Sequence, residues 1–276
     1  MVPRCLTVAG SDSGGGAGIQ ADLKTFTALG VYGMSAITSI TVQNTEGVFG
    51  VFDLPPEVVY NQIKVVAQDI GVDSAKTGML SNTGIVLAVA RAVRDLGIQN
   101  LVVDPVFRAK SGDLLLREES VEVLVRELFP LALIVTPNIP EAEVLCGDRI
   151  RNLRDAENCA KKILEMGPRA VVIKGGHMEG DKVIDLFYEG GLEVHYFVDD
   201  RVETKNTHGT GCTFSAAICA LIAMGMDLKR AVRKAKDFVK RAIETNPGIG
   251  KGHGPLNHMW RIEPCVREFI SSEPST

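Results

Sequence analysis

Short β-branched runs alternate with longer segments of helical period along almost the whole chain, and that alternation leaves few folds open. Residues 6–9 read as a buried strand, 17–29 as a helix, and 33–41 and 48–53 as strands. Pro55 and Pro56 open a helix carrying Val58, Val59, Ile63, Val66 and Ile70 on one apolar face. Strands are expected at 74–77, 101–103, 133–136 and 170–174, with helices at 84–96, 121–128 and 155–166. Strands interleaved with helices of this length predict an α/β fold with a mostly parallel sheet covered on both faces. Segments 182–188 and 192–198 have no helix between them and are joined by Glu189-Gly190-Gly191, which predicts antiparallel strands at one sheet edge. Helices at 211–224 and 228–245 complete the pattern.

No linker, repeat or composition shift divides the 276 residues, so one domain over 1–262 is expected, followed by a polar tail at 263–276 that frays at its end. With 45% apolar and 23% charged residues, a core can form without metal or disulfide support. The 30 basic and 34 acidic residues form no dense cationic stripe, which argues against nucleic acid as a partner. The first apolar run is too short for a signal segment, and none approaches the ~18 residues of a membrane helix, so a cytoplasmic protein without membrane contact is expected. None of the six cysteines forms a C-x-x-C pair, and all are expected as reduced thiols.

Chemistry concentrates in a few loops. In Asn206-Thr207-His208-Gly209-Thr210-Gly211-Cys212-Thr213-Phe214-Ser215, a Gly-rich turn runs straight into an apolar helix. The unpaired N–H groups and dipole of such a helix start suit an anion, and glycines allow its close approach; a tight loop capping a packed helix is the other reading. It is not a Walker A loop, and the spacing of Gly14, Gly15, Gly16 and Gly18 is not the dinucleotide fingerprint. Cys212 stands where a helix start lowers a thiol pKa, so it can be base, nucleophile or simply a small packing residue.

A second loop, from Gly10-Ser11-Asp12 to Gln20-Ala21-Asp22, leaves the first strand at its carboxyl end, where open α/β sheets bind ligands. Asp22 can point back to a ligand or stand solvated near its helix start. In Thr136-Pro137-Asn138-Ile139-Pro140-Glu141, Asn138 reads as a helix cap. Glu143 lies in the first turns of that helix, Asp104 ends another strand and can face the same crevice, and a carboxylate at each of two neighbouring strand ends suits Mg²⁺, which takes few protein ligands. Lys174 ends another strand at the same sheet edge, whereas His253 and His258 match no metal spacing and read as loop residues.

Together these segments resemble the ribokinase-like superfamily, and within it the hydroxymethylpyrimidine/phosphomethylpyrimidine kinases of thiamin biosynthesis. The resemblance covers about residues 4–260 and rests on five ordered blocks: the 9–22 loop, Thr41-Val42-Gln43-Asn44-Thr45, Lys76-Thr77-Gly78-Met79-Leu80, Asp104-Pro105-Val106, and 206–215. It implies a three-layer α/β/α sandwich and a homodimer that moves the γ-phosphoryl group of ATP, with Mg²⁺, onto the pyrimidine and then onto its monophosphate. On the resemblance, Asp22 and Gln43 bind the ring's amino group and nitrogen, Gly10 closes over it, and Met79 and Val106 wall it. Asp104 and Glu141 lie near Mg²⁺, and Asn138, Lys174, Thr207, Thr210 and, more weakly, Lys236 near the nucleotide. Gly209, Gly211 and Cys212 form the anion hole, with Cys212 accepting the hydroxyl proton. Phe107 and Arg108 depart from the family pattern, and Arg108 can meet a phosphate on the acceptor or be solvated. A pyridoxal kinase, or a regulatory protein that binds the pyrimidine without turnover, are the alternatives.

Overall fold

A computed structural model describes residues 1–107, 115, 118–177 and 180–271. Among these, nine strands form one sheet in the order β3-β2-β1-β4-β5-β6-β7-β8-β9. The strands are β1 (Arg4–Asp12), β2 (Tyr32–Gln43), β3 (Val48–Asp53), β4 (Ser74–Thr77), β5 (Leu101–Val103), β6 (Ile134–Val135), β7 (Ala170–Ile173), β8 (Lys182–Glu189) and β9 (His195–Asp200). Pairing is parallel from β2 through β1 and β4 to β7. It turns antiparallel at β7–β8 and β8–β9, and also at β2–β3, so both edges reverse where one was expected.

The helices are α1 (Gly18–Leu29), α2 (Pro56–Asp69), α3 (Thr83–Asp95), α4 (Glu118–Glu127), α5 (Ile139–Cys146), α6 (Leu153–Glu165), α7 (Thr210–Ala223), α8 (Leu228–Glu244) and α9 (Glu263–Ser271). They divide between two cores. Leu6, Val8, Leu101, Val103 and Val135 pack with α2, α3, α5 and α6, while Cys5, Val102, Ile134 and Val172 pack with α1, α7 and α8. Because strand side chains alternate faces, a strand buried on both reads as a continuous apolar run, which is why these segments were legible.

Two expectations need correction. Cys146 at the end of α5 and Cys159 in α6 are joined as a disulfide, so not all six cysteines are reduced. The polar tail contains α9, a helix whose residues are all outside the core. Among the described residues no helix is long and apolar enough to cross a membrane.

Candidate active site

The parallel register sets Val8, Thr77, Val103, Val135 and Val171 side by side. Just beyond that row come Gly10, still within β1, and Gly78, Asp104, Thr136 and Lys174, each the first residue after its strand. The chain leaves β1 toward β2 on one side and β4 lies on the other, which opens a crevice at the carboxyl ends of the central strands. A cavity of about 580 Å³ occupies that crevice and takes its lining from β1 at one end to β9 and α8 at the other.

Two glycine-rich loops from opposite ends of the chain lock together over it. The Asp12 carboxylate accepts from the N–H groups of Gly14 (2.8 Å), Gly16 (3.0 Å) and Ala17 (2.8 Å), and sits 3.0 Å from His208 Nε2. Burial pushes the Asp12 carboxyl up, but His208 and the loop N–H groups outweigh it and hold it below the ordinary aspartate value. Gly209 adopts φ +84°, and a Cβ there would lie 1.8 Å from Gly16 O. Only glycine fits this junction.

Gly209 is also the N-cap of α7, so the N–H groups of Gly211 and Cys212 have no carbonyl partner within the helix. A Cβ on Gly211 would meet Lys174 Nζ at 3.3 Å and Asp104 Oδ2 at 3.6 Å. The missing side chain therefore leaves a cradle floored by helix N–H groups and flanked by a cation, which suits a phosphate. Thr207 and Thr210 line the same cavity, with Thr210 Oγ1 donating to Thr207 O at 2.8 Å.

Cys212 lines the cavity half-buried, and the Gly18 N–H points at its sulfur. Loss of solvent pushes its thiol up to about 11, with Lys76 pulling against it. That direction is opposite to the lowered value expected from its helix position: desolvation, with Asp22 and Asp104 adding to it, outweighs Lys76 and the Gly18 N–H.

Two buried carboxylates behave oppositely. Burial would raise Asp104, but Lys174 and Lys76 outweigh it and hold it below its ordinary value; Oδ1 accepts from Lys174 Nζ and Thr136 Oγ1, each at 2.8 Å. Glu141, facing the same lysine, is pushed by burial from 4.5 up to about 7. Glu141 also forms a capping box with Asn138, accepting from its N–H at 2.8 Å, and takes the N–H of Phe107. Among the described residues, Asp104 Oδ2 has only the long 3.4 Å contact from Ser215 Oγ, so it is the oxygen left for a cation. Among the described residues no group of three or more His, Cys, Asp or Glu side chains could hold a metal, and a Mg²⁺ ion that keeps most of its waters is the kind this pair fits.

Of the residues singled out from sequence, Gly10, Gln43, Met79, Val106, Asp104, Asn138, Glu141, Lys174, Thr207, Gly209, Thr210, Gly211, Cys212 and Lys236 all line the cavity. Asp22 does not. Its side chain is fully buried behind the wall, with both oxygens 3.1 Å from Lys76 Nζ and Oδ2 accepting from Thr7 Oγ1 at 2.6 Å, so it has no path to a ring. Lys236 reaches the lining, but its ammonium already donates to Asp185 Oδ2 (2.8 Å), Phe197 O (2.9 Å) and Val183 O (3.1 Å). Three donors are used, which leaves none for a phosphate. Arg108 lies outside the described residues. His258 bonds Thr213 Oγ1 on α7 at 2.8 Å and His253 bonds Lys205 O at 3.0 Å, so each ties its loop to the rest of the fold.

Asp12, His208 and Lys76 were given no role from sequence. Asp12 followed by Ser13-Gly14 carries a local turn signal that could have found it. The other two acquire their partners only through the fold.

The family model described as Phosphomethylpyrimidine kinase matches residues 12–257. The chain is 48% identical to the hydroxymethylpyrimidine/phosphomethylpyrimidine kinase of Bacillus subtilis over 92% of its own length and 94% of that protein's. Its fold is similar to that of a phosphomethylpyrimidine kinase from Clostridium difficile, at TM-score 0.78 and 44% identity, covering 87% of this chain and 99% of the other. It is also similar to an ADP complex of Bacillus subtilis pyridoxal kinase, at TM-score 0.86 and 38% identity, covering 94% and 98% of the two chains.

Proposed function

The chain belongs to the phosphomethylpyrimidine kinase family, and we propose a division of labour within its cavity for that reaction. The enzyme uses ATP to phosphorylate 4-amino-5-hydroxymethyl-2-methylpyrimidine and then its monophosphate, in thiamin biosynthesis. The ring lies at the β1, β2 and β4 end, against Gly10, Met79 and Val106, with Gln43 supplying hydrogen bonds. ATP lies toward β7–β9, its phosphates reaching Asn138, Lys174, Thr207, Thr210 and the α7 start. The observation that carries this reading is the bare Gly211 beside Lys174 Nζ and Asp104 Oδ2, a place shaped for a phosphoryl group between ring and nucleotide.

Phosphoryl transfer needs positioning and charge stabilisation above all. Lys174 and the N–H groups of Gly211 and Cys212 meet the charge on the transferred group. Asp104 and Glu141 would hold Mg²⁺, and the ion would neutralise phosphate charge. Cys212 gives up its proton to cavity water and, as thiolate, takes the proton of the acceptor hydroxyl as that oxygen bonds the γ-phosphorus and ADP departs. In the second step a phosphate oxygen takes the hydroxyl's place.

The test is ATP consumption by purified protein with Mg²⁺ and the hydroxymethylpyrimidine, beside Cys212→Ser. Mono- and diphosphate from the native chain, with a large loss in the variant, are expected. Turnover unchanged in the variant would remove Cys212 as base. The likeness to a pyridoxal kinase favours one second reading, so pyridoxal is run in parallel, and a strong preference for it would move the assignment.

A homodimer in the cytoplasm is part of the same proposal. Phe49, Phe52, Val42 and Ile40 stand 69%, 68%, 51% and 47% exposed on β2 and β3, an apolar edge suited to a second copy, more so than the β8–β9 edge. Sedimentation of a Phe49→Glu, Phe52→Glu variant as monomer beside a native dimer is the expected result; a native monomer would sink the idea.

A further inference from the structure

The Asp22–Lys76 pair is the most deeply buried charge in the described chain that the reaction, as derived above, does not use. Both side chains are fully buried, and Lys76 Nζ lies 3.1 Å from each Asp22 oxygen. Burying an ion pair is seldom stabilising compared with an apolar pair of the same shape, so its presence asks for a use.

Its position suggests one. Cys219 Sγ touches Ser74 Oγ at 3.2 Å, which sets α7 across β4. Cys212, seven residues and about two turns earlier, lies over the carboxyl end of that strand. Ser74 and Lys76 are two residues apart and share the face of the sheet that α7 covers. A Cβ on Gly78, which lines the cavity, would lie 3.3 Å from Lys76 Nζ. The ammonium is therefore sealed just beneath the cavity floor, under the sulfur, with Asp22 on α1 holding it from the far side.

We propose that Lys76 is a positioning residue for the proton transfer at Cys212: its buried ammonium holds negative charge on the sulfur, while Asp22, paired with the same ammonium, tempers that effect. The role of Cys212 as base is taken from the proposed function, but the charge relation between the two side chains stands without it. The balance is simple. The thiol loses a proton to cavity water, the thiolate beside Lys76 takes the acceptor's proton, and the thiol is restored when ADP leaves.

Four charged groups face Cys212: Lys76 from β4, Asp22 from α1, Asp104 after β5 and Lys174 after β7. Burial works against the Lys76 charge, yet Asp22, Cys212 and Asp104 hold its pKa above the ordinary lysine value. The lysine remains a cation across the working range. Of the groups facing the thiol, Lys76 opposes the effect of burial most, while Asp22 and Asp104 add to it.

The experiment reads Cys212 itself, by iodoacetamide alkylation at pH 8 followed by peptide mass spectrometry, with no substrate present. In Lys76→Met the alkylation rate at Cys212 is expected to fall about threefold or more, as the thiolate loses the cation that most opposes its burial. In Asp22→Asn, which keeps the cation and removes a carboxylate, the rate is expected to rise. A merely structural pair would move both variants the same way. Equal rates in all three proteins, or a shared change of one sign, would overturn the proposal. Where Lys76→Met does not fold, the Asp22→Asn, Lys76→Met double variant leaves no buried charge unpaired and should show a smaller fall of the same sign, below the rate of Asp22→Asn. A kinase assay on the same proteins is separate: native protein without turnover on the pyrimidine would sink the proposed function and leave the thiol result as it stands.

Discussion

At the β1 end of the cavity, where we propose the acceptor lies, a single carboxylate, Asp12, gathers three loop N–H groups and the ring of His208, and is itself 2% exposed. At the β8–β9 end, where we propose the nucleotide lies, the wall is a network of paired side chains on an antiparallel edge. Asp199 lies 3.1 Å from Arg233, 3.7 Å from Lys240 and 3.8 Å from Lys236, and Lys236 in turn holds Asp185 at 2.8 Å. One end is fixed by backbone bonds and close packing, the other by long side chains with several partners each. A rigid end can reject a wrong ring, because its own polar groups would be left unpaired. A redundant end can lose one contact and keep its nucleotide.

The sharpest way to break this contrast is at the junction. In Gly209→Ala the new Cβ would press on Gly16 O, displacing the helix start; kcat is expected to fall about 10³-fold, as when an oxyanion donor is lost. A variant with near-native kcat would mean the two loops are not rigidly joined. Next in size is a pH effect at the seam between the ends. Glu141 is raised from 4.5 to about 7, so between those values the folded chain holds a proton that the unfolded chain has released. Stability therefore falls as pH rises through that window, by about 3 kcal/mol, and Glu141→Gln should remove the slope in urea titrations without divalent ions.

Asp12→Asn should cost about 2 kcal/mol, the scale of lost hydrogen bonds to a charged group, and raise the acceptor KM while leaving the ATP KM almost unchanged. Equal rises in both would show that the clasp serves the whole cavity. The smallest effect is expected from Asp199→Asn, with an ATP KM up about threefold and the acceptor KM unmoved, because a partly exposed pair within a network contributes little.

What the sequence made legible follows the same division. The strand ends were readable because each apolar run stops at a chemically distinctive residue, as at Asp104-Pro105 or Lys174-Gly175. The β2–β3 pair was readable as two strands but not as a second antiparallel edge, since direction depends on which partner lies beside it. The partners of Asp22 and Lys236 were not legible for one reason: a lone charged residue gives no sign of an opposite charge 54 or 51 residues away that will pair with it. The Cys146–Cys159 bond likewise joins residues that carry no motif. In α9, Val266, Phe269 and Ile270 have helical spacing, but a short polar segment with no core to bury them was read as a tail.

The clasp also bears on how the protein is made. Asp12 and His208 are 196 residues apart in the chain. A ribosome has released the first loop long before it has synthesised the second, so the central strands can pair while the carboxylate still waits for its imidazole. Catalytic competence arrives only with the last quarter of translation, and a chain released early, however well folded its first half, carries an open glycine loop and no phosphate cradle.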